Sequence, residues 1–380
     1  MWFRPENESY IATPCILLYP DRIEENIRRM IHMAGGTGRL RPHVKTHKIA
    51  EVIALQLKAG IERFKCATLS EVAMVAGAGG TDILLAYPLL GPGIKIWFDL
   101  LNRFPESRLS VTVDSEAALE QLEVFANQKE KVMDLFVDID NGMHRTGIEV
   151  NRAQPLIASI VKSPNLNFRG LHIYDGHIHE EDPSERKKHC DGDFEPVSAL
   201  VNHLEQEGIE VEELACGGTP SFPIHALHPG RTLCPGTPIL WDAGYERSIP
   251  DLDFLPAAVV AGRVISKPKG QICLDLGYKS IAAEMAHPRL HFLEHEMNEL
   301  TNHSEEHLVY KSGKARQLQV GDIVYALPSH ICPTMALHEQ VYVVRDQAVK
   351  ETWKVVARKR TILSQPPESD QHKPSSPYPG

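Results

Sequence analysis

Hydrophobic and polar positions alternate along the chain in a way that divides it into distinct parts. From residue 20 to about residue 245, short runs rich in Val, Ile and Leu alternate with stretches of helical periodicity. This alternation is typical of repeated strand–helix units around a parallel sheet. After about residue 246 the runs become short and β-like, without regular helices between them, which predicts a separate β domain.

The first part contains eight predicted strands. They span residues 39–44, 63–67, 82–86, 109–113, 135–139, 168–173, 211–215 and 232–233. The predicted helices span residues 20–33, 48–58, 70–76, 95–102, 116–125, 154–162 and 194–207. Eight strands with intervening helices favour a closed TIM-type α/β barrel over an open doubly wound sheet. In such a barrel the chemistry lies at the carboxyl ends of the strands.

The predicted domains follow from this pattern. Residues 20–245 form a parallel eight-stranded barrel, while residues 1–19 and 246–364 form the β domain. The early apolar run 12–18 is expected to pair with that domain. The final residues, 365–380, are rich in Pro, Ser and other polar residues, which predicts a disordered tail.

Composition narrows the possible functions. The chain has 380 residues, of which 42% are hydrophobic and 24% charged, as in ordinary globular enzymes. A formal net charge of −10 argues against nucleic acid as a partner, since phosphate contacts require a basic surface. No run of about 18 apolar residues predicts a membrane span, and the polar N-terminus carries no signal segment, so we expect a cytoplasmic location. The seven scattered cysteines form no C-x-x-C pair, which argues against a disulfide framework.

The segment Leu-Arg-Pro-His-Val-Lys-Thr-His-Lys places Lys45 at a predicted strand end, just before a helix start. Its cationic or potentially cationic neighbours are Arg41, His43, His47 and Lys48. Nearby positive charge lowers the pKa of a lysine because it disfavours the charged form. Such a lysine can act as a nucleophile and form a Schiff base. A solvated turn or an anion-binding patch is the alternative.

A glycine-rich turn follows the predicted strand 211–215. Gly217 and Gly218 allow the backbone to approach an anion, and Thr219 adds a hydroxyl donor. The turn is therefore a candidate phosphate site, with an ordinary β-turn as the alternative. Together with a lysine from another barrel strand, it could hold a phosphorylated aldehyde cofactor.

Two further strand ends carry candidate side chains. Arg145 lies in a glycine-bracketed loop after strand 135–139, where it is either functional or paired with a neighbouring aspartate. Tyr174 and His177 follow strand 168–173 and supply a phenol and an imidazole. We predict that His177, or His179 as the alternative, serves as a base or supports one, because histidine titrates near neutral pH; His177 is placed first because it adjoins the Tyr174 turn.

His330 and Cys332 form the clearest metal signal. They are one residue apart in a segment that we predict to be extended, where alternation would point both side chains the same way. An imidazole with a thiolate suits zinc. Since two protein ligands do not close a structural site, water or substrate oxygen atoms would complete the coordination. A metal-free packing role is the alternative.

Taken together, these motifs resemble the D-threonine aldolase and D-serine dehydratase family of pyridoxal-phosphate enzymes, which share the alanine racemase type of barrel and β domain (fold type III). The Arg-Pro-His-Val-Lys-Thr-His-Lys segment resembles the family's cofactor-lysine motif almost letter for letter. Residues 140–147, 174–177, 217–220 and 330–334 follow in the family's order. The resemblance implies that Lys45 binds the cofactor covalently and that His330 and Cys332 bind a metal ion.

The resemblance implies a pyridoxal 5'-phosphate- and metal-dependent lyase that acts on small D-3-hydroxy amino acids, as a homodimer. Lys45 and His177 are then the expected catalytic residues. The expected cofactor contacts are Lys45, His43, Arg145, Tyr174, Gly217, Gly218 and Thr219. Aldolase members tend to have an aspartate where this chain has Cys332. The thiolate favours Zn²⁺, with Mn²⁺ or another divalent ion as the alternative, and it favours dehydration over aldol cleavage.

Other functions of the same fold remain open. An amino-acid racemase usually takes a second base, often a tyrosine, from the β domain, and Tyr278, Tyr310 or Tyr325 could supply it. A non-catalytic pyridoxal-phosphate carrier or homeostasis protein would lack the β domain that bears His330 and Cys332.

Overall fold

The computed structural model describes residues 1–297 and 299–360. In chain order its first elements are β1 (Cys15–Leu18), α1 (Pro20–Ala34), α2 (Ala50–Lys58), β2 (Arg63–Cys66), α3 (Leu69–Gly77), β3 (Asp82–Leu85), α4 (Pro92–Arg103), β4 (Arg108–Val113), α5 (Glu116–Lys129), β5 (Met133–Asp140), β6 (Ile148–Glu149), α6 (Ala153–Lys162), β7 (Leu166–Ile173), α7 (Pro183–Gln206), β8 (Glu213–Cys216), α8 (Phe222–Ala226) and β9 (Arg231–Leu233). The remaining elements are α9 (Ala243–Ser248), β10 (Ala258–Ser266), β11 (Gln271–Leu274), β12 (Leu290–Phe292), β13 (Leu300–His303), β14 (Leu308–Lys311), β15 (Ile323–Pro328), α10 (Ile331–Leu337), β16 (Gln340–Arg345) and β17 (Ala348–Lys354).

The first sheet is parallel and curled, with the strand order β2-β3-β4-β5-β7-β8-β9 and the short β6 paired to β5. An extended segment before α2 bonds to both edges of this sheet: Leu40 bridges Leu233 and His43 bridges Lys65. The predicted parallel barrel is confirmed in this form, with seven ladder strands and an extended eighth segment. Its strands are nearly continuous apolar runs because helices cover one face and the barrel interior covers the other.

Helix α7 begins at Pro183 rather than at the predicted residue 194. The Asp182 side chain accepts hydrogen bonds from the backbone N–H groups of Ser184 and Glu185, and Pro183 occupies the first turn. This is a strong helix start. Its first turns are polar, so hydrophobic periodicity alone could not reveal them.

The second sheet is largely antiparallel and contains β1, as the early apolar run predicts. Strand β1 pairs antiparallel with β10 and parallel with β16. The expectation that this domain has no regular helices is wrong, since α10 lies between β15 and β16. Ile331 and Met335, one helical turn apart, are both fully buried and anchor it. The predicted domain boundaries stay predictions, and the predicted tail lies outside the described residues.

Across the described ranges 1–297 and 299–360, every helix is too short or too polar to cross a bilayer.

A buried ion-pair network fills the barrel at the amino ends of its strands. The fully buried Arg41 donates from Nε and Nη2 to the two carboxylate oxygens of Glu213, at 2.7 and 2.6 Å, and from Nη1 to Asp82 Oδ1 at 3.0 Å. Asp82 and Glu213 are the first residues of β3 and β8. Arg41 therefore pairs at the end of the barrel opposite to the strand ends where Lys45 is expected to act.

We expect Arg41→Ala to lower the free energy of unfolding by about 3–5 kcal/mol, because it leaves Glu213 buried without its partner. Chemical denaturation of the variant and the wild type measures the difference. Arg28→Ala is the matched control: this arginine is 72% exposed and pairs with Glu25 on the surface, so its loss should cost less than about 1 kcal/mol. If both variants lost the same free energy of unfolding, the proposed stabilising role of the Arg41–Glu213 pair would be contradicted.

Candidate active site

Lys45 lies in a short 3-10 turn, Val44–Thr46, at the carboxyl-end rim of the barrel. Its Nζ is 5.4 Å from the centroid of the Tyr174 ring, which follows β7. The Arg145 guanidinium lies 4.7 Å from the same centroid, and Lys65 Nζ lies 5.4 Å from it. The structure thus brings Lys45, Arg145 and Tyr174 together, and the face of an aromatic ring attracts each nearby cation.

Burial is the main reason that the pKa of Lys45 lies below its ordinary value. The charges of Arg145 and Lys48 lower it further, whereas Cys332 and Glu71 act in the opposite direction. The expected direction is therefore found, but its chief cause is desolvation rather than the sequence neighbours.

His43 and His47, the two histidines that flank Lys45, are buried. They contribute to the structure of the turn rather than to its charge. Burial lowers the pKa of both His43 and His47, so they are neutral near pH 7. His43 Nδ1 accepts a hydrogen bond from the Lys45 backbone N–H at 3.3 Å. His43 therefore caps the turn that presents Lys45, and its predicted contact with a cofactor stays a prediction.

The glycine turn after β8 packs directly beside Tyr174. Gly217 has φ +75°, and a Cβ atom there would lie 2.6 Å from His225 Cδ2. A Cβ on Gly218 would lie 3.2 Å from Tyr174 Cε2. Thr219 Oγ1 accepts a hydrogen bond from the Thr237 N–H at 3.2 Å, which fixes the turn against the following loop. Only glycine fits the first position without displacing its neighbours.

A buried polar network holds this turn from behind. Ser221 Oγ accepts from the Gly218 N–H at 3.2 Å and donates to Asp175 Oδ1 at 2.6 Å. His225 Nε2 lies 2.7 Å from Asp175 Oδ2, and Arg231 donates to His225 Nδ1 at 2.9 Å. Burial alone would raise the pKa of Asp175, but these partners lower it, so the carboxylate stays charged. The network ties the end of β7 to the turn after β8.

Lys65 is a site residue that sequence reasoning missed. It is buried inside the barrel, with Nζ 3.2 Å from His172 Nε2 and 3.4 Å from the Gly217 carbonyl oxygen. His172 Nδ1 lies 2.6 Å from Asp138 Oδ1. Burial and the Lys65 charge lower the pKa of His172, so its neutral ring can accept from Lys65 and donate to Asp138. The available signal was a lysine between the apolar residues Phe64 and Cys66 of a barrel strand.

His330 and Cys332 meet, although not through the extended segment that we expected. His330 is the residue before α10, and Cys332 lies in the first turn of that helix. Asp242 fixes this start: its carboxylate accepts from the backbone N–H groups of Tyr245 and Ile331, each at 3.0 Å. The prediction of an extended strand is wrong because this capped turn begins a helix there.

Without a metal ion, His330 and Cys332 form an imidazolium–thiolate pair. Burial alone would lower the pKa of His330, but its hydrogen bond with Cys332 raises the pKa to about 9. Burial would raise the pKa of Cys332, yet the same bond lowers it, so the thiolate is favoured. His330 Nδ1 lies 2.7 Å from Glu284 Oε1. A carboxylate behind an imidazole is the usual support of a metal-binding histidine, and the donor set fits a divalent ion.

Thr46 joins the lysine turn to this pair. Its Oγ1 lies 3.2 Å from Cys332 Sγ, and Thr237 Oγ1 lies 3.6 Å from the same sulfur. Because Thr46 directly follows Lys45, the sulfur belongs to the surroundings of the amine. The lysine of the barrel and the thiolate of the β domain therefore form one site.

His177 turns towards α7. Its Nε2 lies 2.7 Å from Asp193 Oδ2, and its ring packs edge-on against His189 at 5.3 Å between centroids. The predicted catalytic role of His177 stays a prediction that these contacts do not support.

The residues at the rim fit the cofactor that the resemblance implies. A half-buried amine with a lowered pKa suits an aldehyde, the Tyr174 ring offers a face for a planar heterocycle, and the backbone of the Gly217–Gly218 turn beside it suits a phosphate. The amine of Lys45 and the glycine turn both lie close to the Tyr174 ring.

Comparisons with known proteins identify the family of the chain. The alanine racemase N-terminal domain matches residues 19–238, and a putative serine dehydratase domain matches residues 257–344. The D-threonine aldolase of Arthrobacter sp. is 30% identical over 355 residues, covering 92% of this chain and 93% of that protein. The 3-hydroxy-D-aspartate aldolase of Paracoccus denitrificans (strain Pd 1222) is 31% identical over 368 residues, covering 93% of each.

A solved structure extends the likeness to the fold. The D-threonine aldolase from Filomicrobium marinum has a TM-score of 0.84 with this chain at 27% identity, and the match covers 93% of this chain and 97% of the other. The family resemblance and the fold predicted from the sequence are both confirmed.

We expect iodoacetamide to alkylate Cys332 of the metal-stripped protein at least about tenfold faster than any other cysteine at neutral pH. The other six cysteines are buried, and burial raises the pKa of each thiol. Peptide mass spectrometry over a time course measures the order of labelling. Two results would contradict the thiolate assignment. One is that another cysteine is labelled before Cys332; the other is that the Cys332→Ser variant incorporates as much label at early times as the wild type.

Proposed function

Because the chain belongs to the D-threonine aldolase and D-serine dehydratase family, we propose that it is a pyridoxal-phosphate- and zinc-dependent lyase that eliminates water from D-3-hydroxy amino acids. One observation carries the proposal: the hydroxyl of Thr46, the residue after Lys45, lies 3.2 Å from Cys332 Sγ, and the charge of Cys332 acts on the pKa of Lys45. This proximity supports a base and a metal-binding pair that act on one substrate. Elimination requires such a pair, since a proton leaves one carbon and a hydroxyl leaves the next.

Lys45 performs two tasks in this proposal. When bound, pyridoxal phosphate supplies an aldehyde for an amino group and a ring that accepts electrons from a bond at the α-carbon. Lys45 first holds the cofactor and then, once released by the substrate's amino group, removes the α proton with Nζ. Its lowered pKa suits both tasks, because the neutral amine is the reactive form.

Arg145 and Tyr174 orient the reactants. The Tyr174 ring offers a rigid face beside the Gly217–Gly218 turn, which would receive the phosphate through its backbone. Arg145 carries a positive charge beside the Tyr174 ring, and this charge favours unprotonated or anionic groups next to the guanidinium. The Lys65–His172–Asp138 chain keeps a further positive charge against the Gly217 carbonyl, which steadies the turn.

His330 and Cys332 are the residues that would hold the metal ion. One imidazole and one thiolate favour zinc over manganese, which prefers oxygen ligands. An ion there would supply Lewis-acid chemistry for the substrate hydroxyl. Glu284 keeps the His330 ring oriented through the 2.7 Å contact with Nδ1, and Asp242 fixes the turn that presents both ligands.

Aldol cleavage is the second candidate, since the two relatives that are 30% and 31% identical over more than nine-tenths of this chain are aldolases. The thiolate ligand is the reason to place dehydration first. A racemase is less well supported, because each candidate tyrosine has another partner: Tyr325 donates to Glu8, Tyr310 packs against Phe292 and Tyr278 packs edge-on against His303. A carrier would have no use for the His330–Cys332 pair.

The expected homodimer and cytoplasmic location stay predictions. Tyr87 and Leu90, in the loop after β3 at the carboxyl-end rim, are 60% and 55% exposed. Exposed apolar side chains at the rim are compatible with a subunit contact.

Reduction of the cofactor-loaded protein with borohydride should trap pyridoxal phosphate on the peptide that contains Lys45. Lys45→Ala should lose this adduct, and turnover should fall by about 10²–10⁴-fold or more, because the carbonyl linkage and the base disappear together. Peptide mass spectrometry and rate measurements test both. Lys58→Ala, a change at a lysine that is 80% exposed, is the control and should retain both properties. An adduct on another lysine would overturn the assignment.

Incubation with D-serine should yield pyruvate and ammonia, and D-threonine should yield 2-oxobutanoate and ammonia, whereas the L-enantiomers should not react. A chelator should stop the reaction and zinc should restore it; His330→Ala should slow it at least about tenfold. Product analysis by chromatography identifies the reaction. Glycine with acetaldehyde from D-threonine would establish aldol cleavage in place of dehydration. Release of neither product set from either substrate would overturn the lyase proposal.

A further inference from the structure

A second group of metal-type ligands lies at the beginning of α7, away from His330 and Cys332. His177 Nε2 lies 2.7 Å from Asp193 Oδ2, and His189 Nε2 lies 3.3 Å from the same oxygen. Possible ligand atoms of the three residues all lie within 4.8 Å of one another. His189 and Asp193 are four residues apart, so they share one face of α7, and His177 approaches from the segment after β7.

We propose that this group, His177, His189 and Asp193, binds a divalent transition-metal ion, with zinc as the best match. Two imidazole nitrogens and one carboxylate oxygen form a common zinc ligand set, with water in the fourth position. Donor atoms around tetrahedral zinc stand on the order of 3.3 Å apart, given metal–ligand distances of about 2.0–2.1 Å. The observed separations are close to this, so a small opening of the His177–Asp193 hydrogen bond would admit the ion.

Glu180 provides the outer support that such a site requires. Its Oε1 lies 2.5 Å from His189 Nδ1. This contact fixes the ring and leaves Nε2 facing Asp193. A carboxylate behind a ligating imidazole raises its basicity and orients it. Two carboxylates, Glu180 and Asp193, therefore lie beside the imidazoles, and such an arrangement favours a divalent cation.

Gly142 keeps one side of the group clear. A Cβ atom at this position would lie 2.7 Å from His177 Nε2 and 3.1 Å from Asp193 Oδ2. The exposed fractions of the His177 and Asp193 side chains are 21% and 27%, so the group is sheltered but reachable from solvent. Among the described residues, His177 Nδ1 is buried and has no hydrogen-bond partner. The space beside the ligand atoms therefore suits a small ion and a water molecule.

The ion would have a structural role: it would hold the segment after β7 against α7. His177 lies three residues beyond Tyr174, and Gly142 belongs to the loop that carries Arg145. Coordination would join the segment after β7 to α7 and limit the motion of the Tyr174 segment. This assigns His177 a ligand role in place of the predicted catalytic one. The inference does not depend on the proposed reaction, because the group requires neither the cofactor nor Cys332.

The test uses the full chain with His330→Ala and Cys332→Ser combined, so that the other pair cannot bind. Equilibrium dialysis with Zn²⁺ should give one ion per chain. Adding His189→Ala or Asp193→Asn should weaken binding at least about 100-fold, and adding Glu180→Gln should weaken it about 10–100-fold. His203→Ala is the control, since this histidine lies on α7 and pairs with Glu207 away from the group.

Cobalt provides an independent readout. Co²⁺ bound to the same background should give visible bands without the ultraviolet thiolate charge-transfer band, because the group contains no sulfur. Zinc should also raise the unfolding temperature of this background but not of its His189→Ala derivative. If the background binds no zinc, or if its zinc affinity is unchanged by His189→Ala and Asp193→Asn, the proposal is overturned.

Discussion

The site depends on the backbone pairing that closes the barrel. The extended segment from Leu40 to His43 bonds to β9 on one side and to β2 on the other, with the Arg41 N–H donating to the Leu233 carbonyl oxygen at 2.8 Å and the Lys65 N–H donating to the Pro42 carbonyl oxygen at 2.9 Å. This pairing fixes both ends of the segment. The Arg41 side chain of this segment points to the amino ends of the strands. The turn that follows the segment presents Lys45 at their carboxyl ends.

This closure explains the electrostatics of the rim. Lys45 is held in a partly enclosed space, so desolvation lowers its pKa before any neighbour contributes. Cys332, which belongs to the β domain, acts in the opposite direction on the pKa of Lys45. The turn that carries Lys45 and the turn that carries Cys332 meet through the Thr46 hydroxyl, 3.2 Å from the sulfur. The same contact makes the reactive groups adjacent and stabilises the junction of the domains.

Much of the fold and part of the site could be predicted from the sequence. Strand positions followed from apolar runs, because both faces of a barrel strand are buried. Lys45 and the His330–Cys332 pair followed from local motifs. Lys65 was missed because its partners, His172 and the Gly217 carbonyl, come from other strands. The start of α10 was misjudged for a similar reason: the Asp242 carboxylate that caps it lies almost ninety residues earlier in the chain.

The same limit applies to His177, whose prediction as a base rested on its place after β7. Position in sequence gave the strand end correctly but not the direction of the side chain. The early start of α7 decides that direction, because it places His189 and Asp193 opposite the segment after β7. The polar first turns of α7, which hydrophobic periodicity cannot detect, therefore determine what His177 contacts and so which chemistry is open to it.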